Sequence, residues 1–411
     1  MSRWKKDFDP TIFIYSLQSE IQLNKNGAVS SILGSDIELD YLFWGVDHNF
    51  DFHEDITFQL FQRSLAEYFE KQIKTPKSLL QIFDRLCISH AKKKEKFVIL
   101  TTVSLPKETE LKSRTINKCH IRFSDSFPKK FRDERLNILS KAHTGIPTKE
   151  ATRDDYLSVS ITVTAPDDKT ALHYALDALR FYRGIFEIFF KRQLNIISQS
   201  KAFTYDTRSK MRTGRFHTVH KKNQPSPTYN LWIEDDYLDC PTNSYKDIDK
   251  LNEIMDVYFV KLRRLPFKNL IEKSLKAYIS ALDQDDPNAR FLKIWSAFEV
   301  LLDSDSTPVL VRRIAFINED YSTAKVKATL LRDLRNKATH KGENPKNAAI
   351  KNFELCVQFD HMARFYINNP IGFTNSKDLL DFLSTTTDEK TIDQQMSNLR
   401  KVKAFIKKIN Q

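Results

Sequence analysis

Glycine is scarce in this chain, with eight among 411 residues. Phosphate-cradling loops need several glycines close together, and neither GxGxxG nor GxxxxGK[ST] occurs. That argues against an ordinary nucleotide-hydrolysing domain. Cysteine is also sparse: Cys87, Cys119, Cys240 and Cys356 are widely separated and form no CxxC pair. A disulfide framework and a zinc knuckle are both unexpected, and a reducing, cytoplasmic setting is expected. No run of about 18 apolar residues exists, so no membrane span is expected. The opening "MSRWKKDFDP" turns acidic where an export signal would need its apolar stretch.

Positive charge, by contrast, is in excess. Sixty-five Lys and Arg stand against 53 Asp and Glu, a formal net charge of +12 with a pI near 9.2. Such a balance suits a polyanionic partner, either RNA, DNA or a phosphorylated surface. The plainer alternative is a basic protein with no such partner. A hydrophobic fraction of 41% is enough for ordinary cores, and the length suggests two or three domains.

The expected class is α+β, in three parts. Residues 1–198 read as a mixed α/β domain with a possible sensing or regulatory role. "KFVILTTVSL" (Lys96–Leu105) and "YLSVSITVTAP" (Tyr156–Pro166) are β-rich, with Leu157, Val159, Ile161 and Val163 alternating in the second. "CHIRFSD" (Cys119–Asp125) is a weaker strand. Asp167 or Asp168 is placed to cap a long helix through "KTALHYALDALRFYRGIFEIFF". Aromatics are dense before it, including Phe43, Trp44, Phe50, Phe52, Phe58 and Phe61, and most are expected in a core.

Residues 199–244 read as a basic linker or arm. Between Lys201 and Lys222, seven basic residues face one acid, Asp206, a local excess of six. An extended arm would follow an RNA backbone through Arg208, Lys210, Arg212 and Arg215. A solvated loop or a pair of lysine-guarded edge strands fits the composition as well. From residue 245 to 411 the sequence is helical almost throughout. Prolines at 266, 287, 308, 345 and 370 punctuate a bundle of helices over about Tyr245–Arg263, Phe267–Leu282, Asn288–Leu302, Pro308–Ile317, Thr323–His340 and Pro345–Asn368, with a last pair after Asn375.

Two of these helices carry polar groups in or beside their apolar stripes. Glu299 lies four residues after Trp295 and three before Leu302. Arg335 lies four after Leu331 and three before Ala338. A carboxylate and a guanidinium so placed each need a partner, and an interhelical ion pair is the simplest answer. Asn336 and His340 are four apart, so they share nearly one face. Gly342 is the expected stop.

The segment from Asn288 to Asn368 resembles the HEPN superfamily, and its Apea-like branch in particular. "FLKIWSAFEVLL" matches an aromatic-rich helix ending in Glu-x-Leu-Leu. "VRRIAFI" is a short helix in the same relative place. "LLRDLRNKATHKGE" matches the family's Arg, polar residue, variable positions and His, with four residues between Arg335 and His340. The resemblance implies an all-α, HEPN-like bundle that dimerises and often cuts RNA without a metal or other cofactor. It implies Arg335 and His340 as the catalytic pair, Asn336 as the polar neighbour and Glu299 as the supporting acid.

Those residue types suit the implied reaction, in which the ribose 2′-hydroxyl attacks its own phosphate. Histidine moves protons near neutral pH, and arginine sets a forked permanent charge against the phosphorane. The expectation is a metal-independent endoribonuclease of the toxin or anti-phage type, acting as a homodimer through the bundle. A phage-derived or protein trigger would act at the N-terminal domain. The alternative is a HEPN-like module that dimerises or binds RNA or nucleotide without cutting.

Overall fold

A computed structural model describes residues 1–23, 29–31, 35–73, 75–141, 155–189, 195–197, 202–204, 207–222, 230–234, 237, 239–242, 244–245 and 247–409. The chain is α+β, with fourteen helices and one six-stranded sheet among these residues. In spatial order the strands are Leu231–Ile233, Phe216–Lys221, Glu95–Pro106, Tyr156–Ala165, Cys119–Ser124 and Arg114–Ile116. Every neighbouring pair is antiparallel. The three strands expected from β-branched composition lie side by side in it. Their register sets Ile99, Ile161 and Ile121 in one row, all fully buried.

The Asp168–Phe189 helix lies against this sheet. The Asp167 carboxylate caps it by accepting from Thr170 N at 2.7 Å. Ala171, Ala175, Ala178, Tyr182 and Ile185 recur at helical spacing and are buried. It also packs against the Lys268–Leu282 helix. At Gly184 a Cβ would come within 2.8 Å of Leu275 Cβ, so glycine lets the two helices approach closely there.

Two hydrophobic cores are present among the described residues. The first gathers residues from Ile14 to Cys87, with Phe61 at its centre against Phe43 and Phe83. The second runs from Phe97 to Leu383 and joins the sheet to the C-terminal helices without interruption. It crosses both positions, 198 and 244, where the sequence suggested divisions.

From residue 248 onward the described chain is helical: Ile248–Arg264, Lys268–Leu282, Pro287–Leu301, Thr307–Phe316, Tyr321–Lys341, Ala348–Asn368, Ser376–Leu383 and Glu389–Ile409. Acidic caps start several of these. Asp247 accepts from Lys250 N, Asp286 from Asn288 N and Ala289 N, and Asp320 from Thr323 N. Trp295, Phe298, Tyr278 and Phe359 fill the centre, and Tyr278 donates to Asp360 at 2.9 Å. Among the described residues, no helix is long and apolar enough to cross a membrane.

The basic stretch is not an exposed arm. Lys201 and Asp206 lie outside the described residues, but Thr207–Arg212 is threaded between helices. Ser209 N donates to Leu282 O at 3.1 Å, and Ser209 Oγ donates to Glu187 Oε1 at 2.8 Å. Lys210 and Arg212 are buried, which removes them from the set of phosphate contacts expected on RNA. Arg212 Nη2 donates to Asp283 O at 2.6 Å, and its backbone exchanges hydrogen bonds with Ser104. Arg215 is half-buried over the Phe216 ring, while Arg208 is exposed. The next described residues enter the sheet, so of the alternatives open from sequence, strands toward the sheet margin are what Phe216–Lys221 and Leu231–Ile233 form.

Candidate functional site

The Pro287–Leu301 helix turns Phe291, Ile294, Trp295 and Phe298 into the core. Glu299 comes one position later, about 100° further round, which leaves it on the margin of that face. The Tyr321–Lys341 helix buries only Ala324, Ala328 and Leu331. Arg335 is one turn beyond Leu331 and meets Glu299 there. Arg335 Nη2 donates to Glu299 Oε1 at 3.0 Å, with the two side chains 23% and 22% exposed. The expected interhelical pair is present, but half-buried rather than sunk in the stripe. The other arm of the guanidinium, Nη1, donates to Asn336 Oδ1 at 3.3 Å. The carboxylate and the amide thus hold the arginine fork from two sides.

His340 occupies the last turn before Gly342, which takes the left-handed conformation at φ 66° and donates to Lys337 O. It is exposed and makes no hydrogen bond or ion pair among the described residues. The helix is continuous from Tyr321 to Lys341, so His340, five positions after Arg335, lies about 140° from it around the axis. His340 shares its outward face with the exposed Val326 and Leu330, while Arg335 faces inward. Asn336 sits between these directions. One chain therefore brings together Glu299, Arg335 and Asn336, and leaves His340 apart from them.

A second polar cluster escaped the sequence reading. Arg183, only 2% exposed, donates to Met211 O, to Ser209 Oγ at 3.2 Å and to Asp283 Oδ1. Buried His217 is hydrogen-bonded through Nε2 to Glu234 Oε1 at 3.1 Å, and through Nδ1 to Thr101 Oγ1 at 2.8 Å. The His217 bond, with help from the Arg183 and Arg180 charges, holds the Glu234 carboxyl below its usual range. The signal available in the sequence was Arg183 and Glu187, four apart within the apolar C-terminal half of that helix.

Among the described residues, no group of three or more His, Cys, Asp or Glu side chains is placed to hold a metal ion. No family model, curated protein or solved structure matches the chain.

Proposed function

We propose that the chain is a HEPN-like, metal-independent endoribonuclease whose site is built from Arg335, His340, Asn336 and Glu299. The supporting observation is the arginine fork held between Glu299 and Asn336, one helical turn and a half from a solvent-facing histidine at a helix end. Such an arginine is aimed before substrate arrives, so less ordering is left to do in the transition state. In the proposed reaction the 2′-hydroxyl oxygen bonds to the adjacent phosphorus and the bond to the 5′-oxygen breaks. The products are a 2′,3′-cyclic phosphate and a 5′-hydroxyl. His340 carries the proton, and Arg335 balances charge on the phosphorane.

The angular separation of Arg335 from His340 sets a condition on this reading. A single chain does not set both against one phosphate. Two chains related by a two-fold axis place two of each around a shared cleft, and two imidazoles serve as base and acid in one in-line step. The toxin-type or anti-phage role rests on the resemblance of residues 288–368 alone. The same separation, with no partner orienting His340 among the described residues, favours a second reading: a module that binds RNA without cutting it. Incubating purified protein with total RNA in EDTA separates the two. The nuclease reading expects fragments from the native protein and none from His340→Ala. The binding reading expects retarded but intact RNA from both.

A further inference from the structure

The polar cluster around Arg183 borders a cavity of about 250 Å³ at the seam between sheet and bundle. Its wall takes Arg180 and Arg183 from the Asp168–Phe189 helix, Arg212 from the buried basic stretch, and Glu234 from beyond the sheet edge. Asp283 comes from the C-terminal end of the Lys268–Leu282 helix and Lys293 from the Pro287–Leu301 helix. Four cations therefore face two carboxylates. Both carboxylates are engaged already, Asp283 by Arg183 and Glu234 by His217. The surplus of two is spread over Arg180, Lys293 and Arg212, and Arg212 Nε shares Asp283 Oδ1 with Arg183, at 4.0 Å. Arg180 is 40% exposed, with its nearest carboxylate, Asp177, at 3.9 Å. Lys293 is exposed. Arg212 is only 5% exposed, and its Nη1 has no hydrogen-bond acceptor among the described residues.

A buried guanidinium N–H with no acceptor is costly, and sites of this kind are completed by an anion or by water. The excess of cations over carboxylates among the described lining residues favours an anion over water. Planar guanidinium forks match the paired oxygens of a phosphoryl group. The volume lies just under the range of about 300–1,000 Å³ that holds drug-sized ligands, so a phosphate or a small phosphate ester fits and a strand of RNA does not.

We propose that this cavity binds a small phosphate-bearing ligand, with Arg180, Lys293 and Arg212 as its cationic partners. The site is separate from the arginine–histidine helix and stands whether or not the chain cuts RNA. The test is calorimetric and thermal-shift titration of the full chain carrying His340→Ala, with inorganic phosphate, with adenosine monophosphate, and with chloride at matched ionic strength. Saturable binding and a rise in melting temperature are expected with phosphate, with the monophosphate, or with both, and with chloride neither. Tighter binding of the monophosphate identifies a phosphate ester as the ligand class, and equal or tighter binding of phosphate identifies the free ion. Arg180→Gln combined with Lys293→Gln removes only surface-reaching side chains. It should weaken binding at least about tenfold, the effect of deleting one charge-assisted hydrogen bond. Glu234→Gln removes a repelling charge and should tighten it. The proposal is overturned if neither probe binds saturably in the millimolar range, or if the double variant binds as the parent does.

Discussion

Arg335 donates to Glu299 Oε1 at 3.0 Å, across the seam between two helices that are otherwise joined by apolar packing. The pair is neither exposed nor sealed, and that intermediate setting governs what its loss should do. Fully buried pairs cost about 3–5 kcal/mol when one partner is removed, and surface pairs about 0–1. Glu299→Ala should therefore cost about 1–2 kcal/mol in urea unfolding, and should lower RNA cleavage because the guanidinium loses its aim. Unchanged unfolding with unchanged cleavage would mean that the pair has no role in holding Arg335.

His340→Ala should leave the melting temperature within a degree or so of the parent, because the side chain is exposed and unbonded among the described residues. Cleavage should fall by about 10²–10⁴-fold, the usual loss with a proton-transfer group. Arg335→Ala should lose at least as much activity. Cleavage at the parent rate by both variants would remove these residues from the site.

Mixing the two inactive variants tests the shared cleft. Heterodimers of Arg335→Ala and His340→Ala chains retain one arginine and one histidine between them. With only one of the two imidazoles left, they should cut RNA well below the native rate but measurably faster than either variant alone. A mixture no more active than its parents, although sedimentation shows the chains have exchanged, would contradict a two-chain site.

Arg183→Ala should destabilise the chain by about 3–5 kcal/mol, since it removes a nearly inaccessible guanidinium from Asp283, Ser209 and Met211 together. Urea unfolding measures this directly. A change under about 0.5 kcal/mol, the range of ordinary surface substitutions, would mean that the 207–212 segment is not fastened as described.

Much of the fold was legible because its signals are local. Val, Ile and Thr alternation marks the central strands, and Asp before Pro or before an apolar run marks helix starts such as Asp286–Pro287. The basic stretch was not legible. Whether an arginine is solvated or buried depends on partners far along the chain, and Arg212 finds its acceptor 71 residues away at Asp283. Aromatic density before residue 90 signals a core that Phe43 and Phe61 fill and that Phe50, Phe52 and Phe58 flank, but Trp44 is exposed, and composition does not say that this core is separate from that of the sheet. At the candidate site, the spacing of Glu299 and Arg335 foretold their pairing. The same arithmetic of about 100° per residue already places His340 on the other side of the helix from Arg335.

Acid should destabilise the folded chain in part through His220. His220 is enclosed in the second strand, with Nδ1 on Glu134 and Nε2 on Thr218. Burial holds its pKa below the usual value of about 6.5, outweighing the Glu134 bond that pulls the other way. A depressed folded-state pKa means that the unfolded chain takes up the proton first. This contribution to stability is therefore present above about pH 6.5 and is lost as the pH falls below it, by at most about 1.4 kcal/mol per pH unit for one group. Unfolding of the native protein between pH 7.5 and 5.5 should show that slope, and His220→Gln should flatten it. Parallel slopes for the two proteins would assign the acid sensitivity elsewhere.

The most direct test of the central claim is the chemistry of the cut ends. Purified protein is incubated in EDTA with a defined RNA and with the same RNA carrying a single 2′-deoxy residue at the mapped cut, and the products are sequenced and their termini identified. The account predicts cleavage of the first and not of the second, leaving 2′,3′-cyclic phosphate and 5′-hydroxyl ends, with none from His340→Ala. Intact RNA, 5′-phosphate ends, or equal cutting at the 2′-deoxy position would contradict it.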